Sequence, residues 1–454
     1  MTAWSRRSVL TALGLSPLLP ACGGGGAGNR RATTAVASLG STRSVLRELV
    51  GSMSARFPYA AGLAAISTRR RTMADATEIH REATTRAEVV FTAVDAQGLR
   101  LVRRTSDLSP DGLARAAADL VGTATRGDFG KPRTHAAKLD GDPRRPGPWT
   151  QHAEQLLDRS RRHGGSRIVY RTTFLDVDDR EVVFVGDGRD LLQRVVRARG
   201  GVAFVGTAGS TTYTSVAEQA STAGLNTLAI EDDELEAAAD SALALLTARR
   251  PPSGEFDLVL DPTAAGHFVG RCVAPALLFD QWAIGASRAA ALREQSVGSE
   301  AVTIIDDPSL PGGFGSYSFD DEGLDAAPRT LIDRGVLRDT LARGRSPSNV
   351  YLSGGQAAGR DELMSDVTNG LLLEGALTAY TDAAHWSVGL RASRAREIAN
   401  GKLTGRLYGP LLLHGDVPGL LGAVRAATSD VRFTAGDDMA MGAPHLLTRG
   451  TVVG

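Results

Sequence analysis

The sequence predicts an α+β protein in two parts: an N-terminal α/β region with a mixed sheet and helices over residues 41–250, then a β-rich domain over residues 255–454. Three observations carry this expectation. In the first part, apolar residues at helical spacing alternate with strand-like runs. Pro251-Pro-Ser-Gly254 interrupts the chain between the parts. Beyond it, short apolar runs separated by Gly-rich turns dominate, and long helical patterns are few.

The elements follow in order. Val45, Leu46, Leu49, Val50 and Met53 repeat at helical spacing and predict a helix over Ser41–Ala55. Glu88–Val94 and Gly98–Arg103 read as strands around the turn Asp95-Ala-Gln-Gly98. Ser109 is placed to cap a helix that has Pro110 in its first turn and runs to about Thr123. Residues 125–148, rich in Gly, Pro, Arg and Asp, read as a loop, and Thr150–Arg162 as a helix. Arg167–Leu175 and Arg180–Val185 are expected to pair across a turn at Asp176-Val-Asp-Asp179, with Leu191–Ala198 and Val202–Val205 continuing that sheet. Asp232–Ala248 predicts a helix with Leu235, Ala239, Ala242, Leu243 and Leu246 on one side. After the interruption come a buried-type strand at Phe256–Leu260, a helical stretch over 263–295 broken at Pro275, and a strand at Val302–Ile305.

Composition narrows the function classes. The chain has 454 residues, enough for a core without staples, and 51 basic against 51 acidic residues. Its basic residues are nearly all arginine, and no basic run stands without acidic neighbours, so no nucleic-acid partner is expected. Arg69-Arg-Arg71 reads as a solvated edge. Two cysteines, Cys22 and Cys272, supply no disulfide framework.

The N-terminus suggests a location. Arg6-Arg7 precedes a short apolar run, Val9–Leu19, too short to span a bilayer. It ends in Leu19-Pro-Ala-Cys22, which resembles a lipobox. Residues 1–22 are therefore expected to be a twin-arginine lipoprotein signal with lipidation at Cys22, and residues 23–40 a flexible tether. The protein would be exported and held on a membrane through its lipid, facing the periplasm or the cell exterior.

The C-terminal half carries a family resemblance. In order come Asp257–Asp280, Val302-Thr-Ile-Ile-Asp-Asp-Pro308, Phe319-Asp-Asp-Glu-Gly323 and Leu331–Leu337. Ser353–Arg360, Asp366-Val-Thr-Asn369, Glu397–Lys402 and Met441-Gly-Ala-Pro444 follow. This succession resembles the TldD/TldE (PmbA) family of zinc metallopeptidases and their non-catalytic partner subunits. The resemblance implies a His-Glu-x-x-x-His motif in the helix after the first C-terminal strand, plus a late cysteine. Two imidazoles and a thiolate would hold Zn²⁺, and the glutamate would take a proton from its water. Ligands five residues apart lie about 140° apart on an α-helix, so that helix would have to bend or widen.

Gap-free placement puts Gly270 at the first histidine, Arg271 at the glutamate and Pro275 at the second histidine, and residues 434–441 hold no cysteine. Glycine and proline offer no ligand atom, and a guanidinium is no base at neutral pH. The resemblance thus implies a TldE-type protein without zinc and without proteolytic activity of its own. It would bind peptide or unfolded protein and pair with a TldD-type subunit or with itself. Two alternatives remain open. One is an active zinc peptidase with a displaced site on His267 and Cys272; the other is a plain peptide-binding surface protein. Asp306, Asp307, Asp320, Asp321, Glu322 and Asn369 are candidate cleft residues, and the acidic ones could hold a hard cation.

Overall fold

The computed structural model describes residues 39–122, 148–222, 228–341, 347–436 and 438–454. The signal, nearly all of the tether and residues 125–147 of the expected loop lie outside the described residues, Cys22 among them; residue 148 already belongs to a helix. The α+β class holds, with the strands gathered in three sheets.

The N-terminal part is one six-stranded sheet, ordered β3-β2-β1-β4-β5-β6. Its strands are β1 (Tyr59–Ala74), β2 (Ile79–Val94), β3 (Arg100–Thr105), β4 (Ile168–Gly186), β5 (Arg189–Ala208) and β6 (Thr211–Ser221). Every neighbouring pair is antiparallel, so the expected mixed sheet is not found here. Helices α1 (Leu39–Ser54) and α2 (Pro110–Gly122) cover one face. Leu46, Val50 and Leu113 pack there against Phe91 and Val183. Helix α3 (Pro148–Ser160) and helix α4 (Asp232–Leu245) join a second apolar cluster with β5 through Leu156, Leu235, Ala239 and Phe204. Local signals set these helices. Ser109 Oγ accepts from Gly112 N at 3.1 Å, and Glu231 and Glu234 form a reciprocal capping box. Helix α1 begins at Leu39, inside the span expected to be tether.

The expected turn at Asp176–Asp179 is instead the middle of the 19-residue strand β4. The reason lies on its neighbours. Arg71 makes a two-pronged pair with Asp176 at 2.6 and 2.9 Å. Asp178 accepts from Ser67 at 2.5 Å and from Arg69 at 3.4 Å. Arg194 makes a two-pronged pair with Asp179 at 2.8 and 2.7 Å. Carboxylates that favour turns when alone stay extended when cross-strand cations meet them. The same contacts revise the reading of Arg69–Arg71 as a solvated edge, since Arg69 and Arg71 are paired across the sheet. Successive residues of a strand face opposite sides. Asp176, Asp178, Arg180, Val182 and Phe184 therefore look toward the C-terminal part, while Val183 and Val185 look toward the helices.

The C-terminal part begins with β7 (Gly254–Leu260). With β12 (Asn369–Asp382), β13 (Ser387–Ala399), β15 (Leu411–Asp416) and β19 (Leu446–Val453) it closes a small barrel, ordered β12-β7-β19-β15-β13 and shut by β12–β13 pairing. β14 (Lys402–Tyr408) extends the β13 edge, and β16 (Ala426–Ala427) pairs with β19. The third sheet is ordered β10-β9-β8-β11-β18-β17. Its members are β8 (Ile304–Asp306), β9 (Arg329–Asp333), β10 (Val336–Leu337), β11 (Asn349–Leu352), β17 (Arg432–Ala435) and β18 (Ala440–Ala443). Parallel pairs occur here, β7 with β12 and β11 with β18.

The two parts are docked through residues 314–325. Gln193 on β5 donates to Phe319 O at 2.8 Å and accepts from Ser318 N at 2.7 Å. Phe319 packs against Ala61, Val182 and Phe184. Arg197 donates to Phe314 O at 2.6 Å, Arg189 to Gly323 O at 2.5 Å, and Arg100 pairs with Glu322 at 2.7 Å.

Candidate functional site

The helical stretch after β7 is built in three geometries. Asp261 caps its start, accepting from Ala264 N at 2.7 Å, with Pro262 at the first position where no donor is missed. The α-helix runs over Pro262–His267. It widens to a π-helix over Phe268–Val273, where Ala274 N donates to Val269 O five residues back. It then tightens to a 3₁₀ turn over Ala274–Leu277, around Pro275. The widening that ligands five apart would need is present, while the ligand types are not.

Tertiary packing has filled the space. A Cβ at Gly270 would lie 2.3 Å from Met441 Cγ and 2.8 Å from its sulfur. A Cβ at Gly266 would lie 3.0 Å from Met441 O. The two glycines, four apart on one side of the helix, let β18 approach so closely that the Met441 thioether takes the volume of a side chain at 270. Arg271 extends to the turn between β17 and β18, its Nη2 3.2 Å from where a Gly436 Cβ would stand.

His267 and Cys272 do not form a metal pair. Cys272 is fully buried, with Sγ 3.9 Å from Gly389 O, and burial pushes its thiol up to about 12. At neutral pH it is a protonated thiol packed among the apolar residues of the C-terminal core. His267 is pushed down to about 4 by burial, and then by the nearby charges of Arg271 and Arg199, so its imidazole is neutral. Among the described residues, no three His, Cys, Asp or Glu side chains are placed to hold a metal ion. The residues at this site do not fit zinc.

The acidic candidates are separated by their own partners. Asp306 Oδ1 accepts from Ser348 N and Oγ, both at 2.8 Å. Asp307 Oδ1 closes a turn with Ser309 N at 2.8 Å and Oγ at 2.6 Å. Asp320 Oδ1 holds the backbone of Glu322 and Leu324, each at 2.9 Å. Asp321 reaches Arg180 at 3.9 Å, and Glu322 is on Arg100. Asn369 lies apart, exposed at the start of β12 opposite Ala399. Of this group, Asp321 lines the main cleft.

Burial pushes the Asp306 and Asp261 carboxyls up to about 6. A carboxyl raised in the folded state stabilises the fold fully below its unfolded value, and that contribution is lost as pH rises through about 6. Each group accounts for roughly 3 kcal/mol over that window, at about 1.4 kcal/mol per unit. Asp306→Asn keeps an oxygen for both Ser348 bonds. Denaturant titrations of this variant are expected to lose that share of the pH dependence between about pH 4 and 6. An unchanged slope would show that Asp306 is not the titrating group.

The cleft itself has a volume of about 350 Å³ and opens between the N-terminal sheet and loops of the C-terminal part. Ser67 and Arg69 of β1, Arg86 and Glu88 of β2, Asp178 and Arg180 of β4 and Arg197 of β5 form one wall. Tyr317, Asp321, Ser348 and Asp438 form the other. Arg69 bridges to Asp438 at 3.4 Å, in the same turn that Arg271 approaches from behind. Sequence reading missed this arginine-bearing wall and missed Met441 as an occluding residue. The one available signal was the density of opposite charge in Asp176-Val-Asp-Asp-Arg180 and Arg69-Arg-Arg71.

Residues 253–346 and 342–454 match the PmbA/TldA metallopeptidase C-terminal domain. A metalloprotease of Methanothermobacter thermautotrophicus is 32% identical over 246 residues, 47% of this chain and 54% of its own length. One from Methanocaldococcus jannaschii is 31% identical over 241 residues, 47% of this chain and 53% of its own. The chain thus spans about half the length of these curated relatives. Among solved structures, TldE of Thermococcus kodakarensis superposes with a TM-score of 0.69 at 15% identity, over 90% of this chain and 100% of that one. A candidate modulator of DNA gyrase from Bacteroides thetaiotaomicron superposes with a TM-score of 0.72 at 16% identity, over 91% of this chain and 98% of that one. At these identities the likeness shows the fold.

Proposed function

We propose that this chain, whose residues 253–454 match the PmbA/TldA metallopeptidase C-terminal domain, is a non-catalytic, peptide-binding member of the PmbA/TldD family. The observation that carries the reading is the state of the motif helix. It is widened as ligands five apart would need, has Gly270, Arg271 and Pro275 where a metal site would need donors and a base, and has Met441 packed into the gap. A cleft of about 350 Å³ opens at Asp438, in the turn that Arg271 reaches from the motif helix. Peptide or unfolded protein is its ligand, and a TldD-type subunit, or a second copy of the chain, is its partner.

Export and lipid anchoring at Cys22 belong to the same proposal, supported by Arg6-Arg7, the apolar run and Leu19-Pro-Ala-Cys22. Among the described residues no helix is long and apolar enough to cross a membrane. One preparation tests these points: the chain extracted by detergent from the membrane fraction of its host, analysed for metal and for peptide hydrolysis. The expected result is recovery in that fraction, far less than one zinc per chain and no hydrolysis. Tightly held equimolar zinc would overturn the non-catalytic reading in favour of a displaced site. Recovery in the soluble fraction alone would overturn the anchor.

A further inference from the structure

We propose that the cleft recognises a carboxylate of its peptide ligand, seated over Ser67 between Arg86 and Arg180; this rests on the peptide-binding reading above. Register sets the arrangement. Ser67 stands opposite Arg86 on β2 and opposite Arg180 on β4. Neighbouring strands are about 4.8 Å apart, so the two arginines rise from backbones about 10 Å apart with a small hydroxyl residue between them. That gap suits a planar group held from both sides.

The sign of the ligand follows from pairing rather than from formal charge. Four basic residues (Arg69, Arg86, Arg180, Arg197) and four acidic ones (Glu88, Asp178, Asp321, Asp438) line the cleft, so the count is balanced. The carboxylates are engaged. Glu88 is on Arg104 at 2.9 Å, Asp178 on Ser67 and Arg69, and Asp438 on Arg69. Arg197 is turned onto the carbonyls of Phe314 and Ser316. Arg86, by contrast, has no hydrogen bond or ion pair among the described residues, and Arg180 reaches only Asp321, at 3.9 Å. The uncompensated charge is therefore positive. A cationic ligand would have to break existing pairs, whereas a carboxylate would complete incomplete ones. The carboxylate could be an acidic side chain or a chain terminus.

Fluorescence anisotropy on the full chain with three labelled peptides separates the cases. The probes are Ac-Ala-Ala-Glu-Ala-Ala-NH2, the same peptide with Gln for Glu, and the Gln peptide with a free C-terminus. The Glu peptide, the free-terminus peptide or both are expected to bind about tenfold tighter than the neutral one, as charge-assisted hydrogen bonds would give. Whichever carries the preference identifies the carboxylate's source. Arg86→Gln is expected to abolish the preference, and Arg86→Lys to retain most of it. Arg86 is exposed, so its melting temperature should not move. Arg180→Gln provides a second reading of the same loss. Equal binding of all three peptides, or a preference that survives Arg86→Gln, overturns the carboxylate site while leaving peptide binding intact. Failure of every peptide to bind overturns both.

Discussion

Gly270→His is expected to destabilise the protein by about 2–3 kcal/mol and to bring no zinc with it. The cost is overpacking. The added Cβ alone would stand 2.3 Å from Met441 Cγ, inside a helix–sheet contact whose backbone is already close at Gly266. Met441 is fully buried on β18, so it has no solvent into which to swing. Met441→Ala alone is expected to cost about 2–4 kcal/mol as a cavity mutation. Combined, the two substitutions should cost less than their sum, because the smaller residue vacates the volume the imidazole needs. The coupling read from a double-mutant cycle should be on the order of 1–2 kcal/mol. Zinc analysis of the double variant should still find none, since Arg271 and Pro275 supply no further ligand. Strict additivity would mean that Met441 does not occlude position 270. Zinc uptake by the double variant would mean that donors converge there after all.

Gly323→Ala should be comparably damaging, at about 3 kcal/mol, through the contact between the two parts of the chain. Gly323 has φ +73°, a left-handed conformation that costs an L residue about 1 kcal/mol. Its Cβ would also lie 2.3 Å from Phe184 Cε1 and 2.5 Å from Cδ1, on a ring buried in the sheet. Overlap of that kind adds about 1–3 kcal/mol. The turn would have to lift, straining the Gln193 bonds to Ser318 and Phe319. Gly312→Ala is the control: its φ is +71°, but nothing lies within 4 Å of an added Cβ, so only the backbone cost remains. Denaturant unfolding should show the Gly323 variant well below the control. Protease cleavage within 314–325 should rise in the Gly323 variant alone. Equal losses in the two variants would mean that the Phe184 contact contributes nothing.

The cleft depends on that docking. One wall is a sheet face and the other a set of loops, so a shift at Gly323 would move Asp321 and Tyr317 relative to Arg180 and Arg69. Loss of peptide preference in the Gly323 variant would therefore be indirect. The Arg86 variants avoid this ambiguity because Arg86 touches no docking residue among the hydrogen bonds and ion pairs described.

What the sequence determined by itself was local or chemical. Ser109 before Pro110 and the periodic apolar residues of α1 and α4 fix helices because cap and stripe lie within a few residues of each other. The residue types at 270, 271 and 275 exclude a His-Glu-x-x-x-His site whatever the fold, because glycine, arginine and proline have no suitable atoms. What only the tertiary structure decided involved partners far apart in the chain. Asp176–Asp179 has the composition of a turn and lies in a strand, since Arg69 and Arg71, more than 100 positions away, meet its carboxylates. The methionine filling the motif's gap comes from 171 positions beyond Gly270. The row of Arg86, Ser67 and Arg180 exists only because three strands align in one register. Register is a long-range property: the backbone of each strand accepts many alignments, and the burial of one face selects among them.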